Sequence, residues 1–273
     1  MTPHTAGAAL GSVGTTVITG GASGIGLATA RRLHAVGMHV LIADVDQAAA
    51  TRAARDVGCE SIQLDVTDLG AWKRLRDHLD RRRSPLEALV LNAGRAGGPA
   101  DIMDVEVDDY RAMWALNVDG VVFGLRTLGP ALCVRGRGTI TITCSLAGLT
   151  GIPFDPVYAM TKHALIGLVR SSGPRLAAAG VRLQAVCPGL TRTPLLGDAE
   201  ANLTQVGFTL LDPDDVASVI ADCVEGQQRD DVIVCQPGRP ASAYRFAGVP
   251  GPGGRAAPPL PADLYLGRRA AQQ

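Results

Sequence analysis

Lysine is almost missing from this sequence: of 26 basic residues in 273, only Lys73 and Lys162 are lysine and the rest are arginine. Net charge is missing too, because 26 Lys plus Arg meet 26 Asp plus Glu. That balance leaves no basic footprint for nucleic acid or for an anionic membrane surface. No stretch approaches the roughly 18 apolar residues of a membrane span, and the opening MTPHTAGAALGSVG has neither a cationic start nor a continuous apolar run. A cytoplasmic location is the expectation. The cysteines, Cys59, Cys133, Cys144, Cys187, Cys223 and Cys235, are scattered without a CxxC. Such spacing argues against a disulfide scaffold and a zinc cluster, and reads as reduced, mostly buried thiols. No His, Cys or carboxylate group has the spacing of metal ligands, so no metal is expected.

What is present is enough to bury a core, with 47% hydrophobic and 19% charged residues. Short β-branched runs alternate with helical stretches. TTVIT at 15–19 leads into a helical Gly24 to Val36, HVLIAD at 39–44 into Asp46 to Val57, and SIQLDV at 61–66 into Asp68 to Arg82. ALVLNA at 88–93 precedes a long stretch from Val107 to Cys133, and TITITCS at 139–145 precedes a helix through Tyr158 to Ala179. VRLQAVCP at 181–188, a helix from Pro213 to Glu225 and DVIVCQ at 231–236 complete the series. Runs apolar on both faces suit a buried parallel sheet. The expected fold is therefore α/β, a doubly wound parallel sheet of seven strands in a single domain, with ligands beyond the carboxyl ends of the strands. Residues 15–236 form that domain; 1–14 read as a flexible arm, and 237–273, rich in Pro and Gly, as a tail whose Tyr244, Phe246, Leu264 and Tyr265 could dock.

Between the first strand and first helix stands Thr19-Gly20-Gly21-Ala22-Ser23-Gly24-Ile25-Gly26. Glycines there permit a tight turn and let the backbone approach a pyrophosphate, which the N–H groups of the following helix can bind. The second strand ends in Asp44, about 20 residues on, where a carboxylate accepts hydrogen bonds from ribose hydroxyls and repels a 2′-phosphate. Ala22, Ser23 and Val45 bring no cation for such a phosphate, so NAD is expected over NADP. A helix-capping role for Asp44 competes with this reading, although Asp46 is also placed to cap.

In a chain that otherwise uses arginine, Lys162 is conspicuous, and Tyr158 lies four residues before it, on the same face of a helix. A phenol is a poor base at neutral pH, but an ammonium beside it favours the phenolate. Tyr158 is thus a candidate general acid or base, against the alternative of a core tyrosine beside a solvated lysine. Ser145 ends the TITITCS strand at the ligand edge and can hydrogen-bond a substrate oxygen. Asn117 lies in a long apolar helix and could equally be a buried amide.

Together these residues resemble the short-chain dehydrogenase/reductase family. TGGASGIG at 19–26 matches its TGxxxGxG, Asn92-Ala93-Gly94 its NAG segment, and Pro188-Gly189 with Thr193 its PGxxxT. Asn117, Ser145, Tyr158 and Lys162 match its catalytic tetrad, over a resemblance spanning roughly 15–236. The resemblance implies a nicotinamide cofactor and a homodimer or homotetramer built through the two long helices. It implies that Tyr158 exchanges a proton with the substrate oxygen and that Lys162 holds the nicotinamide ribose. Ser145 would orient the substrate and Asn117 support a water relay. By the same resemblance Gly20, Ser23, Gly24, Ile25, Gly26, Asn92, Gly94 and Pro188 line the cofactor, Asp65 and Val66 contact adenine, and Thr193 the carboxamide. The segments 145–163 and 181–196 are also similar to hydroxyprostaglandin dehydrogenase-like members, in which a substrate-facing Gln corresponds to Asp155 here.

The resulting reading is an NAD-dependent oxidoreductase interconverting a secondary alcohol and a ketone. The loop after Thr193, with Leu195, Leu196, Leu203, Val206 and Phe208, suggests a small hydrophobic or ring-shaped substrate, against the equal alternative that these residues only pack on the sheet. Two alternatives compete: an NADPH-dependent 3-oxoacyl or polyketide ketoreductase, and a non-catalytic nucleotide-binding regulatory protein on the same fold.

Overall fold

In the computed structural model, the residues described are 14–248 apart from Arg83 and Asp198. The expected N-terminal arm up to Val13 and the segment 249–273, with Leu264 and Tyr265, lie outside them. The sheet is built from β1 (Thr15–Thr19), β2 (His39–Asp44), β3 (Glu60–Gln63), β4 (Leu86–Leu91), β5 (Gly138–Thr143), β6 (Val181–Pro188), β7 (Val232–Cys235) and β8 (Ser242–Ala243). Its order is β3-β2-β1-β4-β5-β6-β7-β8, with every pair parallel except β7 with β8. The doubly wound α/β fold is as expected. The strand count corrects from seven to eight, because Ala243 and Ser242 pair antiparallel with Ile233 and Val234 inside the stretch expected to be tail.

Helices cover both faces: α1 (Gly24–Ala35), α2 (Gln47–Val57) and α8 (Pro213–Glu225) on one, α3 (Leu69–Arg81), α5 (Gly120–Arg135) and α6 (Pro156–Ala178) on the other. α4 (Val107–Trp114) precedes α5, and the short α7 (Ala199–Gln205) lies in the loop after β6. The local reasons are conventional ones. Asp46 caps α2 by accepting from Ala49 N at 2.9 Å, and the helix buries Ala50, Ala53 and Ala54. In α3, Trp72, Leu75 and Leu79 recur at helical spacing and are buried against the sheet.

Two differences from the sequence pattern matter for the site. β3 stops at Gln63 rather than reaching Val66, because the Asp65 carboxylate accepts from the backbone and hydroxyl of Thr67 and turns the chain. The stretch expected to be one helix from Val107 to Cys133 is two α-helices joined by a π-helical segment, Ala115–Asp119. Asn117 stands in that segment.

The strand order reverses between β1 and β4, which share the register of β1: Thr16 lies between Val40 and Ala88, and Ile18 between Ile42 and Val90. Crevices at such reversals, beyond the carboxyl ends of the strands, are where open α/β sheets hold ligands.

Candidate active site

β1 delivers the chain into a turn with Gly20 at φ +60° and Gly24 at φ +50°, a backbone that side chains rarely adopt. A Cβ on Gly26 would stand 2.2 Å from the Gly20 carbonyl oxygen, so α1 docks directly on the turn only because no side chain intervenes. Ser23 leads into α1 with extended backbone and makes no side-chain cap bond, and the first turn carries no acidic residue. The orphan N–H groups and positive helix end are thus left for an anion. Asn92 donates to the Thr19 and Gly20 carbonyls at 3.1 and 3.2 Å, so its side chain secures the turn. Ile25 is half-buried beside it.

Asp44 reaches the same turn from β2. Its carboxylate accepts from Ala22 N and from Asp46 N, each at 3.1 Å. The capping of α2 falls to Asp46, while Asp44 stays bonded to the glycine turn. Asp65 shapes the turn after β3, and Val66 is buried against Gly120, its carbonyl accepting from Trp72 Nε1 at 2.9 Å. On the opposite side, Pro188 ends β6, and the Thr193 methyl lies 3.2 Å from where a Cβ on Gly24 would be. The PGxxxT loop therefore folds over the glycine turn.

The four tetrad residues come from three different elements. Ser145 follows β5 with extended backbone, and its Oγ accepts from Ala147 N at 3.1 Å, which keeps its own proton free to donate. Tyr158 and Lys162 lie on α6 with the Lys162 ammonium 5.5 Å from the Tyr158 ring centroid. Lys162 is 5% exposed and donates to the Thr143 carbonyl at 3.0 Å; no carboxylate among the described residues pairs with it. A Cβ on Gly94 would lie 3.1 Å from Asn117 Oδ1 and 3.6 Å from Lys162 Nζ, so Gly94, Asn117 and Lys162 converge at the foot of the site. Asn117 is buried and accepts from Arg95 N while donating to Arg95 O, both at 2.8 Å.

Asp155 departs from the substrate-facing position that the resemblance implied. It is 4% exposed, and its carboxylate accepts from Tyr158 N at 3.0 Å, Gly97 N at 2.8 Å and Gly98 N at 3.1 Å. Three N–H donors occupy it, and it caps α6 instead of facing a ligand. The Asp-Pro pair at 155–156 is a helix-start signal that could have revealed this from sequence. Thr161 was missed altogether: its hydroxyl donates to the Tyr158 carbonyl at 2.8 Å and accepts from Asn117 Nδ2 at 3.1 Å.

Three buried cysteines are held away from the thiolate. Burial pushes the Cys223 and Cys235 thiols up to about 12, and the bonded Cys144 sulfur together with burial pushes Cys187 up as well. After β6, the loop 190–212 is closed at its base by a Thr191–Leu211 bridge and by Arg192, which pairs with Glu200 at 3.0 Å and Asp212 at 2.7 Å. Leu195, Val206 and Phe208 of this loop are exposed rather than packed on the sheet, and Phe154 is exposed too.

The profile of the short chain dehydrogenase family matches residues 14–204. The chain is 34% identical over 215 residues to cis-4-hydroxycyclohexanecarboxylate dehydrogenase of Sinomonas cyclohexanicum, covering 75% of this chain and 86% of that one. It is 31% identical over 180 residues to meso-2,3-butanediol dehydrogenase of Serratia marcescens, covering 65% and 71%. In three dimensions it is similar to a short-chain dehydrogenase/reductase from Burkholderia phymatum in complex with NAD, with a TM-score of 0.73, 26% identity and coverage of 81% and 88%. A glycine turn at the strand reversal, a buried lysine beside Tyr158 and these likenesses converge: the chain is an oxidoreductase of the short-chain dehydrogenase/reductase family.

Proposed function

We propose that the protein is an NAD-dependent dehydrogenase that interconverts a secondary alcohol and its ketone on a small hydrophobic, ring-bearing substrate. The observation that carries this reading is the convergence of Gly94, Asn117 and the buried Lys162 beside Tyr158, at the edge where the glycine turn opens. The residues fit a nicotinamide dinucleotide. The uncapped start of α1 with Gly20, Ser23, Gly24, Ile25 and Gly26 would take the pyrophosphate, Asp44 the adenosine ribose, and Asp65 with Val66 the adenine. Asn92 and Gly94 shape the floor, Pro188 and Thr193 the carboxamide side, and Lys162 the nicotinamide ribose. When bound, the nicotinamide supplies or accepts the hydride.

The chain's own residues manage the proton and the geometry. Tyr158 takes the hydroxyl proton of the alcohol in oxidation and returns one to the ketone oxygen in reduction. Ser145, its proton free, donates to the same oxygen and holds it in place. Lys162 places its ammonium 5.5 Å from the Tyr158 ring centroid, and Asn117 fixes the backbone beside it through Arg95. Leu195, Val206, Phe208 and Phe154 leave apolar side chains exposed, and such surface suits a hydrophobic substrate. The cyclic alcohol in the name of the Sinomonas relative supports a ring-bearing substrate.

Asp44 favours NAD over NADPH, because a 2′-phosphate would meet a carboxylate held by two N–H groups, and the neighbouring Ala22, Ser23 and Val45 bring no cation. The protein works as a homodimer or homotetramer in the cytoplasm; α5 and α6 are apolar on most faces and leave Val122 and Met160 exposed for such contact. No helix among the described residues is long and apolar enough to cross a membrane. Titration with NADH and NADPH by nicotinamide fluorescence, then NAD reduction with a panel of cyclic and acyclic secondary alcohols, tests the reading. Tight NADH binding and turnover of a ring alcohol are expected. Binding of NADPH alone would move the reaction to ketone reduction, and binding of neither would overturn the function.

A further inference from the structure

We propose that Asp155 and Thr161 are positioning residues that close a ring of hydrogen bonds through the backbone of Tyr158. The ring can be followed bond by bond. Tyr158 N donates to one oxygen of Asp155, whose other oxygen accepts from Gly97 N and Gly98 N. Two residues back along that loop, Arg95 exchanges two bonds with the Asn117 carboxamide. Asn117 Nδ2 donates to the Thr161 hydroxyl, which donates to the Tyr158 carbonyl. Both backbone polar groups of Tyr158 are thereby tied, through two buried side chains, to the loop after β4 and to the π-helical segment carrying Asn117.

The geometry is demanding in ways a simple helix cap is not. Gly97 has φ +103°, which only glycine adopts freely and which lets two successive N–H groups point at one oxygen. A Cβ on Gly98 would stand 2.9 Å from Asp155 Oδ1, so the loop approaches the carboxylate as closely as backbone can. Asp155 is 4% exposed, and no Lys, Arg or His pairs with it among the described residues. Its charge is met by three N–H groups and by the positive end of α6. A capping role alone needs only the bond to Tyr158 N. The two further bonds, to a loop 57 and 58 residues away, couple the loop beside Gly94 to the helix that carries Tyr158 and Lys162.

The inference rests on Tyr158 being the proton-transfer group, and the experiment separates the two. In Asp155→Asn the amide keeps an acceptor for Tyr158 N but turns a donor toward Gly97 and Gly98. Hydrogen exchange on the full-length protein should show the amides of 97 and 98 at least ~10-fold faster, with the first turn of α6 still protected. Thr161→Val keeps the shape and loses the hydroxyl. It should speed exchange at 97 and 98 as well, across the ring, an effect that local packing does not produce. With a turned-over alcohol, each variant should lower kcat about tenfold to a hundredfold at unchanged NADH affinity. Thr161→Ser, which keeps the hydroxyl, should recover the loss seen in Thr161→Val. The double variant should lose less than the product of the two single losses. Unchanged exchange at 97 and 98 in Asp155→Asn would overturn the ring, as would wild-type kcat in Thr161→Val beside an impaired Thr161→Ser. If the wild-type protein turns over no alcohol or ketone, the functional reading fails, and the exchange measurements alone still decide the ring.

Discussion

Ala22 N donates to Asp44 Oδ2 at 3.1 Å, joining the glycine turn to the end of β2 across 22 residues. The bond holds the carboxylate against the glycine turn at the end of β2, and it also gives the turn a fixed partner. Asp44→Ala should therefore weaken NADH binding and shift the NADH-to-NADPH preference toward NADPH by about tenfold or more, since the repulsion of a 2′-phosphate goes with the acceptor. Fluorescence titration of both cofactors on the variant checks this. An unchanged preference ratio would remove Asp44 from the cofactor assignment.

Tyr158→Phe removes one oxygen atom and leaves the packing of α6 in place. Turnover should fall by at least ~100-fold while the NADH dissociation constant stays within about twofold, because the lost group acts in proton transfer rather than in cofactor binding. Steady-state kinetics with a parallel NADH titration measure both quantities. Ordinary turnover in this variant would sink the acid–base role.

Arg192 bridges Glu200 and Asp212 at the base of the loop 190–212. Half-exposed ion pairs contribute little to global stability, about 1 kcal/mol or less each, so Arg192→Ala should leave the melting temperature nearly unchanged. Its effect should appear on the loop: a raised KM for the alcohol with kcat preserved, and faster exchange of the 199–210 amides. A drop in melting temperature with unchanged KM would point to a structural rather than a covering role.

Cys223 and Cys235 are buried, and burial is the main cause of raising both thiols from 9.0 to about 12. An acid whose folded value is raised contributes stability that is whole below the unfolded value and is lost as pH rises through the folded one. Stability should accordingly decline between about pH 9 and pH 12, by an amount of order several kcal/mol for the pair. Denaturant unfolding across that range would measure the slope, and Cys223→Ala should make it shallower. At pH 8, an aromatic disulfide reagent should titrate no more than the half-buried Cys59 and Cys133 in the folded protein, and all six thiols after denaturation.

Much of the site was legible because its signals are local. The glycine turn is a strand, a tight reversal and a helix within a dozen residues, and Tyr158 with Lys162 is one turn of one helix. The strand assignments held where apolar runs were long, as in β6, and shifted where a side chain intervened, as where Asp65 ends β3 early. The cap that Asp155 gives α6 is signalled by the Pro156 that follows it, whereas its bonds to the N–H groups at 97 and 98 are revealed by no spacing within 155–162. Thr161 was overlooked for the same reason, since its partner Asn117 is 44 residues away. β8 carries no periodicity in its two residues and exists only because β7 offers an edge; Tyr244 N then reaches the Val232 carbonyl at 2.9 Å, and Phe246 lies 4.0 Å from the Arg170 guanidinium on α6.

The π-helical segment Ala115–Asp119 is equivalent to one residue inserted into an α-helix. The extra residue rotates α4 by about 100° relative to α5, a full step of the helical wheel. Loss of a single codon between 107 and 116 could regularise the hydrogen-bonding ladder, yet it would swing Met113, now buried, off its packing surface or else pull Asn117 from Arg95 and Thr161. The segment thus fixes length as well as composition: the exposed positions of α4 can be substituted one at a time, whereas a change in its length must be compensated within the same helix to keep Met113 and Asn117 in place.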